Sequence, residues 1–263
     1  MRDFYERFYR AVAGSPAHAA FCERVFGRNL CQHGFADMAQ LDALIAAAQL
    51  QPGQAGLDLG CGNGLIAEYI ADRTGATITG LDFIPQAVAD AQARVAAKAD
   101  RLSFMVGDIN ALDLPPAAFD VIISIDTIYF SNDYPATIRE LGGALRPGGR
   151  LAFLYSHGRE PWVPLAEFDA GTLPPDKTPL AAALQANGYT FVTQDFSADD
   201  YCLARLRKQV LAELKPQFAA EEIMFIYDNR LGDANGISQA CELGLQRRYL
   251  YLATPGMARR SPG

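Results

Sequence analysis

A chain of 263 residues that is 50% hydrophobic and 20% charged, with a mean hydropathy of +0.00, carries enough apolar material to bury a sizeable core, which excludes disordered and fibrous classes. Its 23 Gly and 15 Pro follow no period, so collagen-like repeats are excluded too. Thirty acidic against 23 basic residues leave a formal charge of -7 and a pI near 5.0, the wrong sign for recruiting nucleic acid by neutralising phosphates.

The chain begins Met1-Arg2-Asp3-Phe4-Tyr5-Glu6-Arg7, charged where a secretory signal would need an apolar run. The first 51 residues read as a helical preface. In it Phe4, Tyr5, Phe8 and Tyr9 share one helical face, and Asp37 to Gln40 has the spacing of a capping box ahead of Leu41, Leu44 and Ile45. From Gly56 onward short apolar runs alternate with helical periodicity, the pattern of βαβ units around a parallel sheet. The strands read as Gly56 to Leu59, Thr77 to Leu81, Leu102 to Val106, Phe119 to Ser124 and Arg150 to Tyr155. The fourth is apolar almost throughout, as a central strand covered on both faces should be. Between the last two, Ile138, Leu141 and Leu145 mark a helix that Pro147-Gly148-Gly149 is expected to stop. Gly158 to Pro179 is proline-rich and reads as a long loop. Two further strands, Tyr189 to Phe196 and Arg247 to Thr254, flank a helix from about Ser197 to Pro216 and a Gly/Asn-containing segment. The five cysteines, Cys22, Cys31, Cys61, Cys202 and Cys241, have neither Cys-x-x-Cys spacing nor a secretory context, so a reduced, cytoplasmic protein is expected.

The chemistry concentrates at Leu57-Asp58-Leu59-Gly60-Cys61-Gly62-Asn63-Gly64. Glycines where a strand turns into a helix let the backbone approach a ligand and aim amide donors at it. Dinucleotide-binding turns read Gly-x-Gly-x-x-Gly; here the third glycine comes one residue early and an acid stands two residues before the first. That spacing points away from a nicotinamide or flavin dinucleotide. Here the chain resembles the class I methyltransferases that use S-adenosylmethionine, over roughly residues 37 to 158. Asp58, Gly60, Gly62 and Gly64 match the family's first loop, with Cys61 inside it. Asp82, at the end of the second strand, matches the acid that accepts the ribose hydroxyls, with Phe83 beside it to pack on the adenine. Asp108 and Ile109, after the third strand, match the adenine motif, and Ser124 opens the stretch that meets the methionine part of the cofactor.

The resemblance implies a single methyltransferase domain with a Rossmann-like, doubly wound α/β sheet of seven strands whose last strand is antiparallel. Residues 1–51 would be helices and lid, 52–157 the cofactor core, and 158–263 the substrate loop, helices and last hairpin. A sulfonium methyl is already activated, so transfer needs chiefly a nucleophile held in line and, where it carries a proton, a base. His33, Asp126, Tyr129 and His157 lie where sheet and preface converge and are the catalytic candidates; His18 reads as structural. The expected substrate is a small molecule methylated on nitrogen or oxygen. No metal, nucleic acid or membrane partner is expected, and a monomer or homodimer is. The rivals are a protein or RNA methyltransferase and an inactive methyltransferase-like binding subunit.

Overall fold

The computed structural model describes residues 1–160 and 162–256, so residue 161 and residues 257–263, the end of the expected substrate segment, lie outside the described residues. Three helices, α1 (Arg2–Val12), α2 (Pro16–Phe26) and α3 (Met38–Ala48), precede β1 (Ala55–Leu59). Then come α4 (Leu65–Thr74), β2 (Thr77–Asp82), α5 (Pro85–Arg94), β3 (Leu102–Val106), β4 (Phe119–Ile125), α6 (Tyr134–Ala144) and β5 (Leu145–Gly158). The chain ends in α7 (Pro179–Ala186), β6 (Tyr189–Asp195), α8 (Ser197–Ala220), α9 (Met224–Glu242) and β7 (Gln246–Pro255). The strands form one seven-stranded sheet in the order β3-β2-β1-β4-β5-β7-β6. The first five are parallel, and β7 runs antiparallel to both of its neighbours. The order reverses between β1 and β4, which opens a crevice at the carboxyl ends of those strands.

The sheet is covered on both faces because its central strands are apolar on both. In β4, Ile122 packs into the cluster with Leu57, Leu59 and Leu151, while Val121 and Ile123 pack into the opposite one with Ile78, Ala152 and Leu154. Each such side chain contributes about 1.5–3 kcal/mol by leaving water. A third cluster lies apart from the sheet, where Phe8, Phe21 and Phe26 of α1 and α2 meet Leu203, Leu211, Phe218 and Ile226 of α8 and α9.

Three local expectations are corrected. Pro147-Gly148-Gly149 does not separate α6 from a later strand, because β5 starts at Leu145 directly after α6 and the turn bulges out of its ladder. There Phe119 opposes Leu145 while Val121 opposes Arg150. Pro216 does not end its helix either, since α8 runs on to Ala220. The Gly/Asn-containing segment is the helix α9, despite Gly232 and Gly236 inside it. The Asp37 cap forms, its carboxylate accepting from the Gln40 amide at 2.8 Å, but Gln40 does not reciprocate: its Oε1 accepts from Arg248. Among the described residues no helix is long and apolar enough to cross a membrane.

Candidate active site

The glycine turn is built by backbone need. Gly60, Gly62 and Gly64 have φ of +80°, +55° and +76°, a left-handed region that disfavours any side chain. A Cβ on Gly60 would lie 2.2 Å from Thr127 Oγ1, and one on Gly62 would lie 2.3 Å from Tyr9 Oη. The amides of Gly60 and Cys61 donate to Leu81 O, at 2.7 and 3.0 Å, which fastens the turn to the end of β2. That places Asp82 against it. Asp82 Oδ2 accepts from the Gly62 amide at 2.8 Å and Oδ1 from the Ile84 amide at 2.9 Å. A carboxylate has about four acceptor sites, so about two remain for a ligand.

Asp58 lies at the floor, 3% exposed, and its Oδ2 has no hydrogen-bond partner. Burial first, and the nearby charge of Asp82 second, push it up to about 7. An acid that expensive to ionise is satisfied by a cationic or hydrogen-donating ligand. Burial likewise holds the Cys61 thiol well above its usual range, so it packs as a neutral side chain.

These groups share a cavity of about 340 Å³, within the size range of small-molecule sites. Its walls include Asp58, Gly60, Cys61, Gly62, Asp82, Phe83, Asp108 and Ile109, together with His33 and Asp126. Gly64 stands outside it as the amino-terminal residue capping α4, against the ring of Phe104. Ser124 is fully buried in β4 with its Oγ unpaired and does not reach the cavity wall. Asn110 braces the opposite rim, because its Nδ2 donates to Phe130 O at 3.1 Å while its Oδ1 accepts from the Asn132 amide at 2.7 Å. The helix α1 forms a roof: Met1, Tyr5 and Tyr9 line the cavity, and Arg2 donates to Phe83 O at 2.9 Å.

The four catalytic candidates are not brought together. His33 lies on the wall, edge-on to Tyr5 at 4.8 Å between ring centroids and to Phe8 at the same distance, with its Nε2 buried and unpaired. Burial, followed by the Arg230 charge, pulls it down to about 3. Asp126 faces the cavity, but its carboxylate is taken: Arg248 Nη1 donates to Oδ1 at 2.6 Å, Arg248 Nη2 to Oδ2 at 3.0 Å, and the Phe35 amide to Oδ2 at 2.6 Å. This fully buried pair leaves Asp126 poorly placed to act as a base. Tyr129 is half-buried behind Phe130, at 4.8 Å, and is not part of the wall. His157 is farther off, stacked on Tyr155 and bonded through Nε2 to Thr172 Oγ1 at 2.8 Å. Arg207, Arg230 and Arg248, buried in α8, α9 and β7, escaped sequence reasoning because a lone arginine in an amphipathic segment reads as a solvated charge. Among the described residues no three His, Cys, Asp or Glu side chains gather as metal ligands.

Residues 57–153 match a family model described as a methyltransferase domain. Phosphoethanolamine N-methyltransferase 1 of Arabidopsis thaliana is 27% identical over 255 residues, which is 95% of this chain and 51% of that protein. The 27-O-demethylrifamycin SV methyltransferase of Amycolatopsis mediterranei (strain S699) is 35% identical over 152 residues, 53% of this chain and 55% of that protein. The chain therefore spans about half the length of these curated relatives. Among solved structures, Haemonchus contortus phosphoethanolamine N-methyltransferase 2 in complex with S-adenosyl-L-methionine superposes with a TM-score of 0.76 at 18% identity, covering 97% of this chain and 60% of that one. The mycolic acid cyclopropane synthase CmaA1 gives 0.70 at 20% identity, covering 94% and 98%. The glycine turn, the acids that follow it, the sheet order and the domain match agree: residues 57–153 carry a methyltransferase domain, set in the seven-stranded fold of a methyltransferase solved with S-adenosyl-L-methionine.

Proposed function

We propose that this protein transfers the methyl group of S-adenosylmethionine to a nitrogen or oxygen of a small molecule, with an amine as the favoured acceptor. The observation that carries the reading is the roof. With α1 laid across the site, the space is a partly roofed cavity of about 340 Å³ with Tyr5, Tyr9, Phe83 and Phe130 among its walls, a size suited to a small acceptor. When bound, the cofactor supplies a methyl on a positively charged sulfur. The residues supply the rest. Asp82 holds the ribose hydroxyls with its free acceptor sites, Asp108 and Ile109 hold the adenine, and ionised Asp58 receives the ammonium of the methionine part.

On the acceptor side, Tyr5 is held up at about 12, mostly by burial and then by Asp233, so it stays a hydroxyl donor. His33 lines the cavity and stays neutral, so it does not store the nucleophile's proton. Aromatic walls formed by Tyr5, Phe83 and Phe130 favour a nitrogen that turns cationic as the methyl arrives. The names of the relatives, a phosphoethanolamine N-methyltransferase and a 27-O-demethylrifamycin SV methyltransferase, support nitrogen or oxygen as acceptor. The test is a mass-spectrometric screen of small amines, phenols and alcohols with the purified protein and S-adenosylmethionine. Methylated amine together with S-adenosylhomocysteine is the expected product, and methylation confined to protein or RNA refutes the reading.

A further inference from the structure

Residues 27–36 link α2 to α3 without regular structure, and Leu30, Cys31, Gln32, His33, Gly34 and Ala36 form one wall of the cavity. Nothing local fixes most of that wall's backbone. Cys31 is left-handed at φ 54°, and the short-range bonds engage only its first turn: the Cys31 amide donates to Asn29 Oδ1 and the Leu30 amide to Gln32 Oε1. The long-range bonds come from arginines far along the chain. Arg230 of α9 donates to His33 O at 2.5 Å and also to Gln32 O. Arg207 of α8 donates to Phe35 O at 3.1 Å. Arg248 of β7 holds Asp126, whose Oδ2 accepts from the Phe35 amide. A Cβ on Gly34 would lie 2.8 Å from that Oδ2, so glycine permits the close approach.

The energetics make these arginines more than packing. Each is at most 2% exposed, and no carboxylate is within ion-pair distance of Arg207 or Arg230 among the described residues. A buried guanidinium without a paired acid is a poor source of stability compared with an apolar side chain of similar volume. What it provides is a rigid fork that can take two carbonyls at once. Arg230 lies 5.5 Å from the ring centroids of both Phe8 and Phe21, and Arg207 lies 5.3 and 4.8 Å from those of Phe26 and Phe35. The forks are thereby held between aromatic faces. Arg230 Nη2 also lies 3.2 Å from His18 Nε2. Arginine only donates, so His18 Nε2 accepts and the ring is neutral with its proton on Nδ1, in line with the depression of His18 by burial and by Arg230.

We propose that Arg230 and Arg207, with Arg248 acting through Asp126, are positioning residues that hold residues 30–36 as a preformed wall of the cofactor cavity. Cofactor affinity then depends on α8 and α9, which lie outside the matched residues 57–153; this consequence rests on the cofactor reading above. A wall that is in place only a tenth of the time weakens binding about tenfold.

The test combines hydrogen exchange of the ligand-free protein with calorimetric titration of S-adenosylhomocysteine into the wild type, Arg230→Ala and Arg207→Lys. Expected for Arg230→Ala is faster exchange in 28–36 with the sheet still protected, and binding weaker by on the order of tenfold. Millimolar guanidinium, filling the vacated space, should restore both. If Arg230→Ala does not fold, Arg207→Lys decides, since it keeps the charge but loses the fork; faster exchange at 33–36 and weaker binding are expected. Affinity within about twofold of the wild type with unchanged loop exchange overturns the proposal. So does a loss of binding that accompanies loosening of the whole sheet and that guanidinium leaves untouched. A wild type that binds no S-adenosylhomocysteine sinks the cofactor reading instead, and the exchange data still judge the clamp.

Discussion

The carboxyl of Asp58 should make cofactor binding depend on pH around neutrality. Buried under the glycine turn with Oδ2 unpaired, it is raised to about 7 by burial and by Asp82. A ligand ammonium prefers the ionised form, which is present above that value and lost below it. The apparent dissociation constant therefore scales as one plus ten to the power of the pKa minus the pH. It is raised about 1.1-fold at pH 8, about twofold at pH 7 and about elevenfold at pH 6, so affinity falls about tenfold across that window. The histidines do not produce the same slope, because His18 and His33 are depressed far below it and His157 is lowered and lies off the cavity. Calorimetry of S-adenosylhomocysteine binding between pH 6 and 8, in buffers of differing ionisation enthalpy, reads both the affinity and the proton released, about half a proton at pH 7. Asp58→Asn should bind more weakly at pH 8 and show a flat profile. A flat wild-type profile, or a slope that persists in Asp58→Asn, refutes the assignment.

Four further outcomes follow from the geometry. Gly62→Ala combines left-handed strain of about 1–2 kcal/mol with a Cβ 2.3 Å from Tyr9 Oη, so cofactor binding should be lost along with stability. Gly148→Ala, at φ +81° with nothing within 4 Å, should show the strain alone in urea melts and keep binding. Asp126→Asn leaves Arg248 buried without its partner and should cost about 3–5 kcal/mol; urea denaturation checks this, and Asp126→Leu combined with Arg248→Met should recover part of the loss. Because His33 is about 3 in the folded state against about 6.5 unfolded, the unfolded chain takes up a proton first as pH falls through 6.5. The stability of the wild type relative to His33→Gln should thus drop by about 2 kcal/mol between pH 6.5 and 5. A difference independent of pH would contradict the burial of that imidazole.

What could be read in the sequence was local. The turn announces itself because left-handed backbone demands glycine at residues 60, 62 and 64, and the strands announce themselves because a sheet covered on both faces needs near-continuous apolar runs such as 119–125. The helix α9 did not, since Asn229, Gly232, Asn235 and Gly236 all weigh against a helix. Its state is decided by tertiary packing, with Ile226 and Tyr227 in the cluster they share with Phe218 and Leu214 of α8. Asp126 read as substrate-facing because its neighbours in sequence lead into the site. Its partner Arg248 stands 122 residues away, and no spacing rule links the two.

The cavity therefore has two origins. One wall is written into a continuous stretch, from the glycine turn to Asp108, whose residues reach the ligand through backbone turns that each encode themselves. The other wall, residues 30–36, acquires its shape from Arg207, Arg230 and Arg248 through bonds to backbone carbonyls and to one carboxylate. A carbonyl is the same at every residue, so a side chain such as that of His33 can change without disturbing the clamp, provided glycine stays at 34, where Asp126 crowds the backbone, and glutamine at 32, whose side chain bonds the Leu30 amide and Arg28 O. Exchange of His33 for another residue of similar volume should accordingly alter which acceptor is methylated while leaving S-adenosylhomocysteine affinity nearly unchanged. Exchange of Arg230, which holds the carbonyls of Gln32 and His33, should weaken the cofactor as well. Competition assays with paired acceptors and titration with S-adenosylhomocysteine, run on both variants, separate the two; a His33 variant that loses cofactor affinity as severely as Arg230→Ala would show that the wall is held by its side chains after all.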